Sequence, residues 1–212
     1  MSTPSSSART DRYLLFDLGM VLCEPTGLNV NLADLLEVTT DDVDRVFWAE
    51  RPAYDGGMTD EDYWRVTTDA LGLGWSDEKL RERLPSLVKA DIAGWATPRP
   101  DARAFLTELH ERNTPVGILS NAPVSFAEAA VNFDWYRLAD PWFFSGVMKT
   151  VKPGEEIYRR VEDTLGLPGE KIWFIDDRIA NVEAAAARGW HAHLWHDDAD
   201  TRRWLAEEGF LS

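Results

Sequence analysis

Apolar and polar positions along the chain divide into short apolar runs and longer stretches with helical spacing. The first run begins at Tyr13 and ends in one carboxylate, Asp17, with Gly19 two residues later. Short apolar runs bounded by turn residues predict buried strands, and further runs occupy residues 115–119, 142–144, 171–175 and 190–195. Helical patterns cover residues 101–112, 126–131, 155–165, 184–188 and 198–207. Strands that alternate with helices predict a parallel, three-layer α/β sheet.

Residues 31–90 carry no strand-like run and are predicted to be helical. Three helix starts are marked by a hydroxyl side chain followed by acidic residues, at Thr40, Thr59 and Ser76. We therefore expect a small helical unit, residues 24–95, inserted after the first strand. The α/β core is then built from residues 11–23 and 96–212.

Composition and charge restrict the partners of such a protein. The chain has 212 residues, of which 44% are hydrophobic, which is typical of a globular protein. A formal net charge of −15 disfavours binding to nucleic acid and to anionic membranes, since both require a positive face. No apolar run approaches the roughly 20 residues that span a bilayer. A site for a phosphorylated small molecule would need its own local positive charge.

The N-terminal segment and the single cysteine indicate the cellular compartment of the protein. Residues 1–10 are rich in Ser and Thr and have no apolar core, so we expect a short disordered tail and not a secretory signal. Cys23 is the only cysteine, which excludes an intramolecular disulfide and favours a reducing cytoplasm. The sequence does not predict an oligomeric state.

Three of the predicted strands end in polar groups: Asp17, Ser120-Asn121 and Asp176-Asp177. In a parallel sheet these ends emerge at one edge, so the side chains can converge. Three neighbouring carboxylates repel one another unless a cation lies between them, and oxygen ligands favour Mg²⁺. Lys152 and Ser120 would then hold an anionic group beside that metal, which suggests attack of the Asp17 carboxylate on phosphorus.

Four motifs in order give the chain a family resemblance. Residues 16–21 (FDLGMV), 119–121 (LSN), 151–153 (VKP) and 174–177 (FIDD) resemble the motifs of the haloacid dehalogenase-like (HAD) superfamily. The helical insert after the first motif resembles the C1-capped subfamily I. The resemblance implies a Rossmann-like α/β core with a helical cap, and it covers the chain from Asp11 onward.

This resemblance also implies roles for individual residues. Asp17 matches the nucleophile that forms an aspartyl-phosphate, and Lys152 matches the lysine that stabilises charge. Ser120, with Asn121 beside it, matches the phosphate-binding position. The implied cofactor is Mg²⁺, with ligands at Asp17, Gly19 (backbone carbonyl), Asp177 and Asp176, the last acting through water.

The first motif departs from the usual phosphatase pattern. Family phosphatases carry a second Asp two residues after the nucleophile, as general acid and base, whereas this chain has Gly19 there and Val21 in place of a common Thr. General acid–base catalysis contributes typically about 10²–10⁴-fold. The enzyme is then slow, or acts on good leaving groups, or uses another group or water. This Gly-type first motif also resembles that of sugar-phosphate phosphatases.

Other polar and aromatic residues are weaker candidates. In the helical insert, Trp48, Tyr54 and Trp64 are candidates to cover a substrate, and Arg51 to bind a second anionic group, although aromatic residues at helical spacing commonly form core. The histidines of the last strand, at 191, 193 and 196, are candidate metal ligands. We favour the interpretation that they are ordinary packed or surface histidines.

The sequence thus predicts a Mg²⁺-dependent phosphatase of a small phosphorylated metabolite, with the helical insert as a lid. Two alternatives stay open. A 2-haloacid dehalogenase has the same fold but needs no metal, and the pair Asp176-Asp177 argues against it. The second alternative is a binding or regulatory protein of the same descent that does not turn over a substrate. Its main support is Gly19, which stands where an acid is usual.

Overall fold

The computed structural model describes residues 11–211. Within this range a single sheet has five strands: β1 (Tyr13–Phe16), β2 (Val116–Ser120), β3 (Trp142–Phe144), β4 (Ile172–Asp176) and β5 (His191–Leu194). They pair in the order β3-β2-β1-β4-β5, and each pairing is parallel. The predicted α/β class with a parallel sheet is confirmed. The expected tail, residues 1–10, lies outside the described residues.

The register of the central strand brings the functional strand ends together. Phe16 of β1 pairs with Ile118 of β2 on one side and with Ile175 of β4 on the other. Asp17 directly after β1, Ser120 at the end of β2 and Asp176 at the end of β4 therefore lie at the carboxyl edge of the sheet on three adjacent strands. That edge is where parallel sheets place their ligand crevice.

Five helices fill the segment between β1 and the rest of the fold: α1 (Leu28–Leu36), α2 (Thr40–Phe47), α3 (Arg51–Asp55), α4 (Asp60–Ala70) and α5 (Asp77–Trp95). Side chains of Thr39, Thr59 and Ser76 accept a backbone N–H at the starts of α2, α4 and α5. The predicted helix starts at 59 and 76 are thus N-caps, and the cap near 40 is one residue earlier. Helix α5 continues through Pro85 to Trp95, beyond the predicted helical region.

The remaining helices flank the sheet: α6 (Pro100–Glu111), α7 (Val124–Ala130), α8 (Ser145–Met148), α9 (Glu155–Leu165), α10 (Ile179–Ala187) and α11 (Asp198–Glu207). Short 3₁₀ turns occupy Tyr136–Leu138 and Gly169–Lys171. Among the described residues, none of the helices has the length and apolar character needed to cross a bilayer.

Both faces of the sheet are covered, because successive strand residues point to opposite sides. Leu14 and Phe16 belong to one buried cluster, whereas Leu15 belongs to a second cluster on the other face. The first cluster extends without interruption into α1, α2 and α4, through Leu32, Phe47 and others. The helical insert is therefore packed onto the same side of the sheet as Phe16, above the carboxyl ends of the strands.

Candidate active site

Asp17 lies directly after β1 and is 7% exposed. Its Oδ1 accepts a hydrogen bond from the backbone N–H of Leu18, at 2.7 Å, and lies 2.8 Å from Nζ of Lys152. Burial, together with the neighbouring charges of Asp176 and Asp177, raises the pKa of Asp17 to about 7, against the opposing effect of Lys152. The structure gives Asp17 Oδ2 no hydrogen-bond donor among the described residues, so this oxygen is open to a ligand.

Lys152 joins three strand ends through one buried ammonium group. Nζ lies 2.8 Å from Asp17 Oδ1, 2.7 Å from Asp176 Oδ2 and 2.8 Å from the carbonyl oxygen of Leu119. An ammonium group has three N–H donors, so all of them are used. Burial opposes the charge, yet Asp17 and Asp176 hold the pKa of Lys152 above its ordinary value. A charge buried to this extent is tolerated only with such partners.

Asn121 fixes the backbone of this lysine. Its side-chain Nδ2 donates to the carbonyl oxygen of Lys152, and its Oδ1 accepts from the backbone N–H of Lys152, both at 2.9 Å. Asn121 lines the cavity at this edge of the sheet, but its amide group is committed to positioning Lys152. Ser120 is buried at the end of β2, and its hydroxyl makes only a long 3.5 Å contact with the carbonyl of Asn121. This hydroxyl can therefore donate to a phosphate oxygen.

Asp176 and Asp177 differ sharply in their environments. Asp176 is fully buried; its Oδ1 accepts from the backbone N–H of Arg178, and its Oδ2 lies against Lys152. Asn181 Nδ2 lies 2.9 Å from both oxygens. Asp177 lines the cavity, where burial and then the charge of Asp176 raise its pKa. Asp177 is therefore the more accessible ligand of the two.

The three carboxylates form a group suited to a divalent cation. One oxygen each from Asp17, Asp176 and Asp177 lies within 4.8 Å of the others. Oxygen-only donors of this kind fit Mg²⁺ or Ca²⁺. Asp176 already accepts hydrogen bonds at both oxygens, so Asp17 and Asp177 are the two carboxylates placed to contact a cation directly. The histidines are not part of this group: His191 stacks on Trp173 and His193 on Trp204, at 4.3 and 4.6 Å between ring centres.

Gly19 lies on the wall of the cavity, opposite an indole ring. A Cβ built there would be 3.5 Å from Cζ3 of Trp95, an ordinary contact. The positive φ in this turn belongs to Met20, at 61°, and not to Gly19. Neither space nor backbone conformation therefore requires a glycine at residue 19.

The cavity has a volume of about 560 Å³ and lies between the carboxyl edge of the sheet and the helical insert. Its core side is formed by Asp17, Ser120, Lys152 and Asp177 together with Phe126. The insert contributes Trp48, Arg51, Pro52, Asp55 and Trp95. Trp48 and Trp95 meet edge to face, with ring centres 6.3 Å apart. A mostly apolar pocket with a few convergent polar groups is the usual form of a small-molecule site.

Arg51 lines this cavity, but two carboxylates already share its charge. Nε donates to Asp55 Oδ1 at 3.0 Å, and Nη1 lies 2.8 Å from Asp91 Oδ2. All three side chains are buried, and Asp91 and Asp55 raise the pKa of Arg51 despite burial. With two acidic partners, Arg51 presents little net positive charge to the cavity. This weakens its predicted role of binding a second anionic group of the substrate.

Tyr54 and Trp64 are not brought to the cavity. Both are fully buried within the insert. The ring of Tyr54 stacks on Tyr63, with centres 4.1 Å apart, and its hydroxyl donates to Asp60 at 2.6 Å. Helical spacing places these rings on the inner face of the insert, where they form its core.

Sequence reasoning missed three residues of this site. Asn181 is a polar side chain inside an otherwise apolar turn of α10, close after Asp177, and that position was a usable signal. Asp55 and Trp95 line the cavity from the insert, and their positions depend on packing between distant segments. Neither is marked in the sequence by a motif.

Comparison with known proteins places the chain in a family. A family model described as haloacid dehalogenase-like hydrolase matches residues 27–189, more than half of the chain. The chain belongs to the haloacid dehalogenase-like hydrolases. Because the match begins beyond Asp17, the nucleophile assignment depends on the geometry described above.

One curated protein similar to this chain is named a phosphatase. The phosphatase MT3486 of Mycobacterium tuberculosis (strain CDC 1551 / Oshkosh) is 31% identical over 121 residues, which are 55% of this chain and 54% of that protein. The alignment thus spans about half the length of this curated relative.

Among solved structures, the HAD family enzyme bt-2542 of Bacteroides thetaiotaomicron, in complex with magnesium and inorganic phosphate, has a TM-score of 0.69 and 20% identity, covering 90% of this chain and 98% of that one. The L-2-haloacid dehalogenase of Xanthobacter autotrophicus, with chloropropionic acid covalently bound, has a TM-score of 0.66 and 19% identity, covering 95% and 84%. At these identities the two structures share the fold with this chain.

Proposed function

We propose that this chain is a Mg²⁺-dependent phosphatase of a small phosphorylated metabolite, acting through an aspartyl-phosphate on Asp17. The observation that carries the proposal is the buried lysine shared by Asp17 and Asp176, beside the carboxylate group that suits a divalent cation. The phosphatase MT3486 and the magnesium and phosphate complex of bt-2542 support the same chemistry.

The chain's own residues supply most of the reaction. Oδ2 of Asp17 attacks phosphorus, forming an O–P bond while the bond from phosphorus to the leaving oxygen breaks. Lys152 holds Oδ1 of Asp17 and so orients the free oxygen, and Ser120 donates to a phosphate oxygen. Asp17, Asp177 and the Gly19 carbonyl would hold a Mg²⁺ ion, with Asp176 behind them, and the ion would supply positive charge to neutralise the phosphoryl group. Water then attacks phosphorus, releasing inorganic phosphate and the Asp17 carboxylate.

The helical insert is assigned to a C1-type cap, residues 24–95, over a core of residues 11–23 and 96–212. Trp48 and Trp95 give this cap an apolar wall above the site, which suits the flat face of a sugar or another small ring. The Gly-type first motif fits the same sugar-phosphate phosphatase-like assignment. We also propose a cytoplasmic enzyme that binds neither nucleic acid nor membranes, in keeping with its net charge of −15.

The test is hydrolysis of 4-nitrophenyl phosphate with Mg²⁺ and with EDTA. We expect Asp17→Asn and the removal of metal each to lower kcat by at least about 10³-fold, because the first removes the nucleophile and the second the charge neutralisation. Asp69→Asn, an exposed site at the end of α4, is the matched control and retains activity. Equal rates for parent and Asp17→Asn would exclude the mechanism.

Dehalogenation is the competing chemistry, favoured by the structural similarity to the L-2-haloacid dehalogenase. It attacks carbon and has no use for the extra carboxylates of Asp176 and Asp177. Chloride release from 2-chloropropionate in EDTA, without phosphatase activity, would identify the protein as a dehalogenase instead.

A further inference from the structure

A phosphatase with glycine at residue 19 needs another proton donor for its leaving oxygen, and this question rests on the proposed function. Within the part of the chain that the structure describes, three carboxylates line the cavity: Asp17, Asp177 and Asp55. The first two belong to the strand-end group that suits a cation. Asp55 is the remaining one, and it enters the cavity from the helical insert.

The backbone of Asp55 is tied to the core and not only to the insert. Its carbonyl oxygen accepts a hydrogen bond from Oγ of Ser145 at 2.5 Å, and the same Oγ accepts from the backbone N–H of Ala122 at 2.9 Å. Ala122 lies two residues after Ser120. One buried hydroxyl therefore holds Asp55 in a defined position relative to the predicted phosphate-binding residue.

The carboxyl group of Asp55 has one committed oxygen and one free oxygen. Oδ1 accepts from Arg51 Nε at 3.0 Å, whereas no donor to Oδ2 is present among residues 11–211. The charged groups that face it are Arg51 on its own helix, Asp91 on α5 and Lys152 of the core. Burial raises the pKa of Asp55 to about 6; Arg51 and Lys152 oppose this shift and Asp91 adds to it. A carboxyl group of this kind exchanges its proton near neutral pH.

We propose that Asp55 is the general acid and base that takes the place of the side chain missing at Gly19. In the first step, Asp17 Oδ2 bonds to phosphorus, the bond to the leaving oxygen breaks, and the Asp55 proton passes to that oxygen, releasing an alcohol. In the second step, the Asp55 carboxylate takes a proton from water as its oxygen bonds to phosphorus and the Asp17–phosphorus bond breaks. Phosphate leaves and Asp55 is again protonated.

The test compares leaving groups in Asp55→Asn. Loss of the acid should lower kcat/KM for a phosphate of a primary alcohol by about 10²–10⁴-fold, but by less than about tenfold for 4-nitrophenyl phosphate, whose leaving group needs no proton. Asp91→Asn is the matched control, because Asp91 shares Arg51 but does not line the cavity. It should affect both substrates by the same factor.

Two further measurements distinguish a loss of proton transfer in Asp55→Asn from a loss of folding. With the alcohol phosphate, kcat/KM of the parent should fall as pH rises through about 6 and Asp55 loses its proton, and this limb should be absent in Asp55→Asn. Adding Gly19→Asp to Asp55→Asn should raise kcat/KM on the alcohol phosphate by at least about tenfold. A variant that had merely unfolded would show no such recovery.

The outcomes distinguish this role from the proposed function. Equal losses on both substrates in Asp55→Asn, or no rescue by Gly19→Asp, would overturn the role of Asp55. A parent that hydrolyses 4-nitrophenyl phosphate but not the alcohol phosphate would overturn it too, while leaving a phosphatase. A parent that hydrolyses neither would overturn the proposed function itself.

Discussion

At the residue scale, Gly19 is the position where the first motif has no acidic side chain. The turn after β1 brings Gly19 to the cavity wall, where an added Cβ would make an ordinary contact with Trp95. An aspartate there would lie two residues after the nucleophile, within reach of the leaving group. The site therefore has room for the acid that the chain lacks.

We expect Gly19→Asp to raise kcat on phosphates of poor leaving groups, by roughly tenfold, and to change it little on 4-nitrophenyl phosphate. The gain should be smaller than in the Asp55→Asn background, because the parent already has one proton donor. Gly19→Asn, which has the same size without the acid, is the control. Steady-state kinetics on both substrates measure the difference, and a gain shared by Gly19→Asn would point to packing against Trp95 instead.

At the residue scale, the convergence of polar side chains can be predicted from the sequence where each of them follows a strand end. Asp17, Ser120, Asp176 and Asp177 were predictable because each follows an apolar run, and parallel register places such residues at one edge. Arg51 shows why functional residues were harder to predict in the insert. An isolated arginine in the sequence suggests a site for an anion, whereas in the folded protein Arg51 pairs with Asp91, 40 residues away. Pairing of this kind has no local signal.

At the scale of elements, the helix starts of the insert that have a side-chain cap were predicted, and those without one were not. Thr59 and Ser76 cap α4 and α5. Helices α1 and α3 follow Gly27 and Glu50, neither of which makes a side-chain cap bond, and the separate starts of these two helices were not predicted. Helix α5 was ended too early, although its last turn carries Trp95 to the cavity. The insert was therefore recognisable as helical, but its functional face was not.

The buried carboxyl group of Asp55, on α3, gives the insert a pH-dependent stability. Burial raises the pKa of Asp55 from an ordinary 3.8 to about 6. A carboxyl group whose pKa rises on folding holds its proton more tightly in the folded state. Ionising it therefore costs stability as pH rises from about 4 to 7, a difference of roughly 3 kcal/mol.

We expect Asp55→Asn to remove this dependence. Relative to the parent, its free energy of unfolding should increase between pH 4 and pH 7, by up to roughly 3 kcal/mol. Urea unfolding in EDTA at a series of pH values measures it, with Asp69→Asn, which is exposed, as the control that follows the parent. A constant difference between parent and Asp55→Asn across this range would contradict the assigned burial effect.

At the scale of the whole molecule, the net charge is unfavourable for the proposed binding of an anionic substrate. The net charge is −15, and the site adds three converging carboxylates with one lysine between them. Long-range attraction therefore cannot deliver a phosphate ester to this cavity. A bound divalent cation reverses the local field, so the metal should contribute to the stability of the site as well as to its chemistry.

Mg²⁺ should accordingly stabilise the folded protein through this one site. A ligand at a hundredfold excess over Kd adds about 2.7 kcal/mol, which in a chain of this length corresponds to a rise of roughly 5–10 °C in Tm. Any dication also screens a chain this acidic, so scans with MgCl₂ are compared with NaCl at equal ionic strength. Asp177→Asn and Asp69→Asn change the net charge equally, but only Asp177 can bind the metal. We expect the Mg²⁺ shift to persist in Asp69→Asn and to disappear in Asp177→Asn, whereas equal shifts in both would identify screening and not a metal site.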